Sequence, residues 1–133
     1  MKLKSFKLTN NTIYYLTAFF LPFVILFLAL LAENISFNGE TTILASDGFH
    51  QYVIFAENLR NILHGSDSLF YTFTSGLGLN FYALISYYLG SFFSPFVYFF
   101  SLKSMPDAIY LFTLLKVACM GLTSFYSLRQ LYP

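Results

Sequence analysis

Charge is what this sequence has least of. Asp, Glu, Lys and Arg make up 10% of its 133 residues, against roughly a quarter in an average soluble domain, so the chain lacks the polar surface that water demands. The formal net charge is +1, and no basic patch or stripe stands out, which argues against a nucleic-acid partner. The single cysteine, Cys119, excludes an intrachain disulfide framework and any CxxC metal motif, and is most simply a small packing residue. Two histidines without cysteine or acidic companions at ligand spacing give no zinc motif. The glycines of SGLGLN (75–80) are not followed by Lys-Ser/Thr, so they do not form a phosphate loop. There is no internal repeat.

What the chain does have is apolar surface, with 57% hydrophobic and 22% aromatic residues. From Leu8 to Ala32 there is no charged residue. The stretch 13–32, IYYLTAFFLPFVILFLALLA, supplies the roughly 20 apolar residues that a spanning helix needs, and Pro22 inside it is tolerated in a membrane. Lys2, Lys4 and Lys7 precede it and nothing basic follows until Arg60. The positive-inside bias therefore predicts a cytoplasmic N-terminus (1–12) and an external loop over 33–80. A cleaved signal peptide fits less well, because the apolar run exceeds the usual h-region of about 7–15 residues.

Five of the six acidic residues, Glu33, Glu40, Asp47, Glu57 and Asp67, fall in that loop, and only Asp107 lies beyond it. Within the loop the spacing of Tyr52, Phe55, Ala56, Leu59, Ile62 and Leu63 predicts an amphipathic helix over 51–64. Glu57 and Arg60 are set to pair across one turn, and Gly65 is a stop signal. Beside a membrane segment, such a helix is expected to lay its aromatic face among lipid headgroups. Residues 81–102 are of spanning length, but Ser94-Pro95 interrupts them. One kinked spanning helix and a juxtamembrane helix with a re-entrant stretch are both compatible with that pattern. The segment 108–128 is a further transmembrane helix with Lys116 in its middle. If 81–102 spans, Lys103 is cytoplasmic and Arg129 external; if it only dips in, the two exchange places. The fold class expected is an all-α polytopic membrane protein with two or three transmembrane helices and a juxtamembrane helix in the first external loop.

Asp47 is the first candidate for chemistry. A carboxylate near the membrane surface can serve as a general base, while its place ahead of a helix also suits an N-cap. Lys116 is the second, because an ionisable group within a membrane marks a functional site or an interhelical pair. Arg60, His50 and His64 are weaker candidates for contact with a phosphate.

The order of these pieces carries a resemblance. The loop reads D-x-x-x-Q-Y at Asp47, Gln51 and Tyr52, then an amphipathic helix. It continues as FY-x-F-x-x-G-x-G-x-N-F at Phe70, Tyr71, Phe73, Gly76, Gly78, Asn80 and Phe81. Nearly the whole chain thus resembles the N-terminal part of the YfhO family of bacterial multi-helix membrane proteins. The resemblance implies the opening of a GT-C-like bundle in the cytoplasmic membrane, of the kind that transfers a sugar from a polyprenyl-phosphate carrier to a cell-surface polymer such as teichoic acid. It implies Asp47 as the catalytic base, with Gln51, Tyr52, His50, Arg60 and Lys116 as substrate-binding residues; it does not say whether a divalent metal takes part. Membrane lipid and the remainder of the bundle are the other partners expected. Family members are far longer, so this chain reads as a truncated or split product that does not catalyse alone. A small non-enzymatic subunit or transporter piece is the alternative.

Overall fold

The computed structural model describes residues 10–132. Lys2, Lys4 and Lys7, on which the expected cytoplasmic N-terminus rests, lie outside the described residues. The protein is an all-α membrane protein. Its α-helices are α1 (Asn10–Ala32), α2 (Val53–Leu63), α3 (Phe81–Tyr88) and α4 (Met105–Leu131). Among the described residues the only β-pairings are the isolated bridges Ile35–Thr41 and Thr72–Leu79.

The helices α1 and α4 are long and apolar enough to cross a membrane. In α1 the large side chains Ile13, Leu16, Phe20, Leu21, Val24, Ile25, Leu28 and Leu31 are all exposed. A helix that is apolar on every side and buried by none is matched to lipid. The chain divides into two compact units. The first contains α1 up to Glu33 and α4 from Thr113 onward; the second is Asn34–Phe112.

In the first unit, the antiparallel run of α1 and α4 follows from their contacts. Arg129 Nη2 donates to Asn11 Oδ1 at 2.7 Å, so the end of α4 lies beside the start of α1. The rings of Tyr15 and Phe125 meet edge to face at 5.3 Å nearby. Further along, Gly121 comes so close to α1 that a Cβ there would run into the Ala18 carbonyl oxygen and the Pro22 ring. Small residues at such crossings let two backbones approach, and the packing they permit drives helix association in lipid.

In the second unit, the core gathers Val53, Phe55, Ala56, Leu59, Phe81, Leu89, Val97, Met105, Ala108 and Phe112. The helix expected over 51–64 is present as α2, preceded by a π-turn over Gly48–Tyr52. Its apolar face is not left for headgroups. Val53, Phe55, Ala56 and Leu59 are buried inside the protein, which stabilises each large side chain by about 1.5–3 kcal/mol. Tyr52 and Leu63, at the ends of the stripe, stay exposed. Gly65 ends the helix as the sequence suggested. It has φ 77°, and its amide donates to Ile62 O while that of Ser66 reaches back to Asn61 O, a Schellman closure.

Residues 81–102 do not make one long helix. The eight residues of α3 rise roughly 12 Å, less than half of a hydrocarbon core of about 30 Å. The helix stops at Leu89-Gly90, and Pro95 then opens a 3-10 turn over Ser94–Phe99. At Ser101 a capping box with Ser104 starts a second 3-10 turn that runs into α4. Pro106 and Asp107 occupy the first turn of α4, where a missing N–H and a negative charge are both favoured. Asp107 Oδ1 also accepts the Asn38 amide at 2.8 Å, tying the start of the loop to the start of the last helix.

Gly121→Leu is expected to destabilise the helix pair by about 1–3 kcal/mol, the usual cost of overpacking. Far-UV circular dichroism during denaturant unfolding in detergent reads this out, with Gly121→Ala falling between the two.

Candidate functional site

Ser46 sits in the left-handed region, at φ 47°, where a residue with a Cβ is held only by its surroundings. Its carbonyl takes the amides of both Phe49 and His50 at 3.1 Å. That turn places Asp47 ahead of the first helical amides. No side-chain capping bond forms there; instead Asp47 Oδ1 accepts from Gln51 Nε2 at 3.3 Å. The four-residue spacing of D-x-x-x-Q is thus one turn of helix, with the amide holding one carboxylate oxygen and leaving the other open. Asp47 is exposed.

An aromatic group adjoins this pair. The Tyr52 ring meets Tyr88 edge-on at 5.4 Å, Phe55 lies 4.9 Å from Tyr88, and Tyr87 packs against Tyr88 at 4.7 Å. Partial burial pushes the Tyr88 phenol above its ordinary pKa, and Tyr87, Tyr52 and the Asp47 carboxylate push it the same way. Tyr88 therefore stays protonated at neutral pH and remains a hydrogen-bond donor within electrostatic reach of Asp47. Sequence reasoning passed over Tyr88, which sits in an unbroken run of aromatic residues that gives no positional signal.

The remaining candidates are placed differently. His50 is exposed and lies edge-on to Phe49 at 5.5 Å. Arg60 lies at the far end of α2, roughly 15–20 Å along the axis from Asp47 at the standard rise. Its Nε donates to the carbonyl oxygen of Phe100, and it forms no ion pair with Glu57 among the described residues. That bond satisfies a backbone acceptor left open where the 3-10 turn ends. His64 stacks on the Tyr98 ring at 4.3 Å, with Nε2 3.1 Å from the Tyr98 carbonyl oxygen. Arg60 and His64 thus fasten α2 to the segment 94–100. Burial raises the pKa of Glu57. Lys116 belongs to the other unit, exposed in the middle of α4. Among the described residues no three His, Cys, Asp or Glu side chains gather as a metal site.

The second sequence motif has a mechanical basis. Thr72 and Leu79 exchange both backbone hydrogen bonds at 3.0 Å, closing a narrow hairpin. Gly76 and Gly78 have positive φ (57° and 103°), and the Tyr71 ring occupies the place where a Cβ on Gly78 would stand. Asn80 caps α3 by accepting the Tyr82 amide at 3.0 Å, and Phe81 is fully buried. One residue outside both motifs joins them. Asn58, 4% exposed on α2, donates to Thr72 Oγ1 at 2.9 Å and to Thr74 Oγ1. The only signal in the sequence was an asparagine beside the apolar face of an otherwise regular helix.

The family model described as bacterial membrane protein YfhO matches residues 18–133. Comparison with curated proteins and with solved structures gives no match.

Asn58→Ala is expected to cost about 1–3 kcal/mol, the usual range when a buried hydrogen-bond partner is removed. Gly78→Ala is expected to cost a similar ~1–3 kcal/mol for strained backbone. Faster amide hydrogen exchange over 70–80 in both variants, with α1 unchanged, is the observable.

Proposed function

The chain belongs to the YfhO family of bacterial membrane proteins, and from that premise we propose that its loop carries the catalytic base of a GT-C-like glycosyltransferase. The donor is a sugar on a polyprenyl-phosphate carrier, and the acceptor is a hydroxyl of a cell-surface polymer such as teichoic acid. The observation that carries this reading is the Asp47–Gln51 pair, held at 3.3 Å on a turn stabilised from below by the buried face of α2. In the reaction the acceptor hydroxyl gives its proton to the free oxygen of Asp47, and its oxygen bonds to the anomeric carbon. The bond from that carbon to the carrier phosphate breaks, and the phosphate leaves with the electron pair. A positioned base contributes typically 10²–10⁴-fold to such a step.

Gln51 orients the carboxylate by fixing one oxygen. Tyr52 and Tyr88 offer ring faces to the apolar side of a sugar, and the protonated Tyr88 phenol offers a donor. His50, exposed on the same turn as Gln51, is assigned to the acceptor. Arg60, roughly 15–20 Å along α2 from Asp47 and bonded to the Phe100 carbonyl, is given no part in this step, and Lys116 belongs to the other unit. In this reading the N-terminus is cytoplasmic and the loop faces outward, because Lys2, Lys4 and Lys7 precede α1 and nothing basic follows until Arg60. Further membrane helices complete the bundle around this opening portion.

Asp47→Asn is expected to lower surface-polymer glycosylation by at least about 10²-fold in a strain that depends on the protein. Asp67→Asn, which alters another exposed acid of the same loop, leaves activity intact. Full activity in Asp47→Asn would remove that carboxylate from the mechanism.

A further inference from the structure

The end of the helix pair opposite the loop holds a feature that glycosyl transfer does not use. Arg129 is partly buried there. Its Nη2 is committed to Asn11 Oδ1 at 2.7 Å, and its guanidinium carbon lies 5.7 Å from the Tyr15 ring centre and 5.9 Å from that of Phe125. Both distances fall inside the range of cation–π attraction. An arginine that merely snorkels to water is held by nothing; this one is fixed by an amide and backed by two rings. Four of the five N–H donors of a guanidinium are not used by Asn11.

Of the acidic side chains, only Glu33 belongs to the unit that holds Arg129. All six Asp and Glu residues lie between Glu33 and Asp107. Glu33 is 22 residues from Asn11 along α1, and Asp107 is 22 residues from Arg129 along α4. Each is therefore roughly 33 Å away at the helical rise. Beside Arg129 is an open-sided cavity of about 450 Å³, lined by Tyr14, Phe125, Leu128 and Tyr132. A fixed cation with spare donors, no acidic side chain of its own unit within reach among the described residues, and an apolar wall has the makings of an anion site at a membrane surface.

We propose that this cavity binds a phosphate anion, with Arg129 as its ligand and the apolar wall receiving whatever chain the phosphate carries. The planar guanidinium matches phosphate oxygens in a two-point contact that an ammonium does not make. Basic pockets between membrane helices bind anionic headgroups by the same chemistry. The inference rests on α1 and α4 crossing a membrane, and it is independent of the glycosyl-transfer reading.

The test uses the full chain in phosphatidylcholine nanodiscs, in nanodiscs with phosphatidylglycerol added, and in phosphatidylcholine nanodiscs with inorganic phosphate. The thermal midpoint as a function of each additive gives its apparent affinity. Wild type is expected to prefer phosphatidylglycerol over phosphatidylcholine by about fivefold or more, the effect of one basic residue near an anionic surface. Arg129→Gln is expected to lower the preference about fivefold, the share of one basic residue. Stabilisation by inorganic phosphate alone, lost in Arg129→Gln, would support the site with free phosphate as its ligand. Should Arg129→Gln fail to fold, Leu128→Trp fills the cavity and is expected to reduce the preference with Arg129 in place. Equal affinity for both lipids with no response to phosphate, or a preference unchanged in both variants, overturns the proposal. Surface-polymer glycosylation measured on the same variants separates this site from Asp47, since only the latter is required for transfer.

Discussion

The contact on which the arrangement depends is the one between the beginning of α1 and the end of α4. Arg129 reaches Asn11, and Gly121 lets the Pro22 region of α1 come close. Two antiparallel helices of spanning length, with their outer ends together, oblige the chain between them to leave and return on the same side of a membrane. Nothing between Glu33 and Ser104 forms a helix long enough to add a crossing. Residues 34–112 form one compact unit with a core of its own. A third crossing would have separated the Asp47 turn from Lys103 by a bilayer.

That unit is held by its own core, and this changes the meaning of the amphipathic helix. A helix floating on headgroups positions nothing with precision. With Val53, Phe55, Ala56 and Leu59 buried and Asn58 latched to Thr72 and Thr74, α2 is a rigid base for the turn that precedes it. The two motifs are the two ends of one construction. Asp47, Gln51 and Tyr52 stand at the entry to α2, while the hairpin from Phe70 to Phe81 packs through Asn58 against its middle and launches α3. The same helix brings Tyr88 of α3 against Tyr52 and Phe55, which is how an aromatic floor comes to lie beside the carboxylate.

Much of this was legible in residue order because it follows from periodicity. The apolar length of α1, the stripe of α2, the stop at Gly65 and the D-x-x-x-Q spacing each obey a local rule, and each has its counterpart in the structure. Other features depended on what each surface would meet. The stripe of α2 suits a bilayer interface and a protein core equally well, and only the packing of 81–112 decides between them. Arg60 lies one turn from Glu57, yet a backbone carbonyl at Phe100 claims it. Asp47 stands where an N-cap belongs, but Gln51 holds its carboxylate. Tyr88 and Asn58 had no signal strong enough to single them out, since an aromatic in an aromatic-rich run and one asparagine beside an apolar face are ordinary.

The proposal most open to a direct test is that only α1 and α4 cross the membrane, which would leave 33–104 on one side and both outer helix ends on the other. Single cysteines at Asp67→Cys, Lys103→Cys and Gln130→Cys, in a Cys119→Ala background, test it directly with a membrane-impermeant maleimide on intact cells. Positions 67 and 103 are expected to label from outside, and position 130 only after permeabilisation. Labelling of 67 and 103 from opposite sides, or of 130 together with 103, would contradict it.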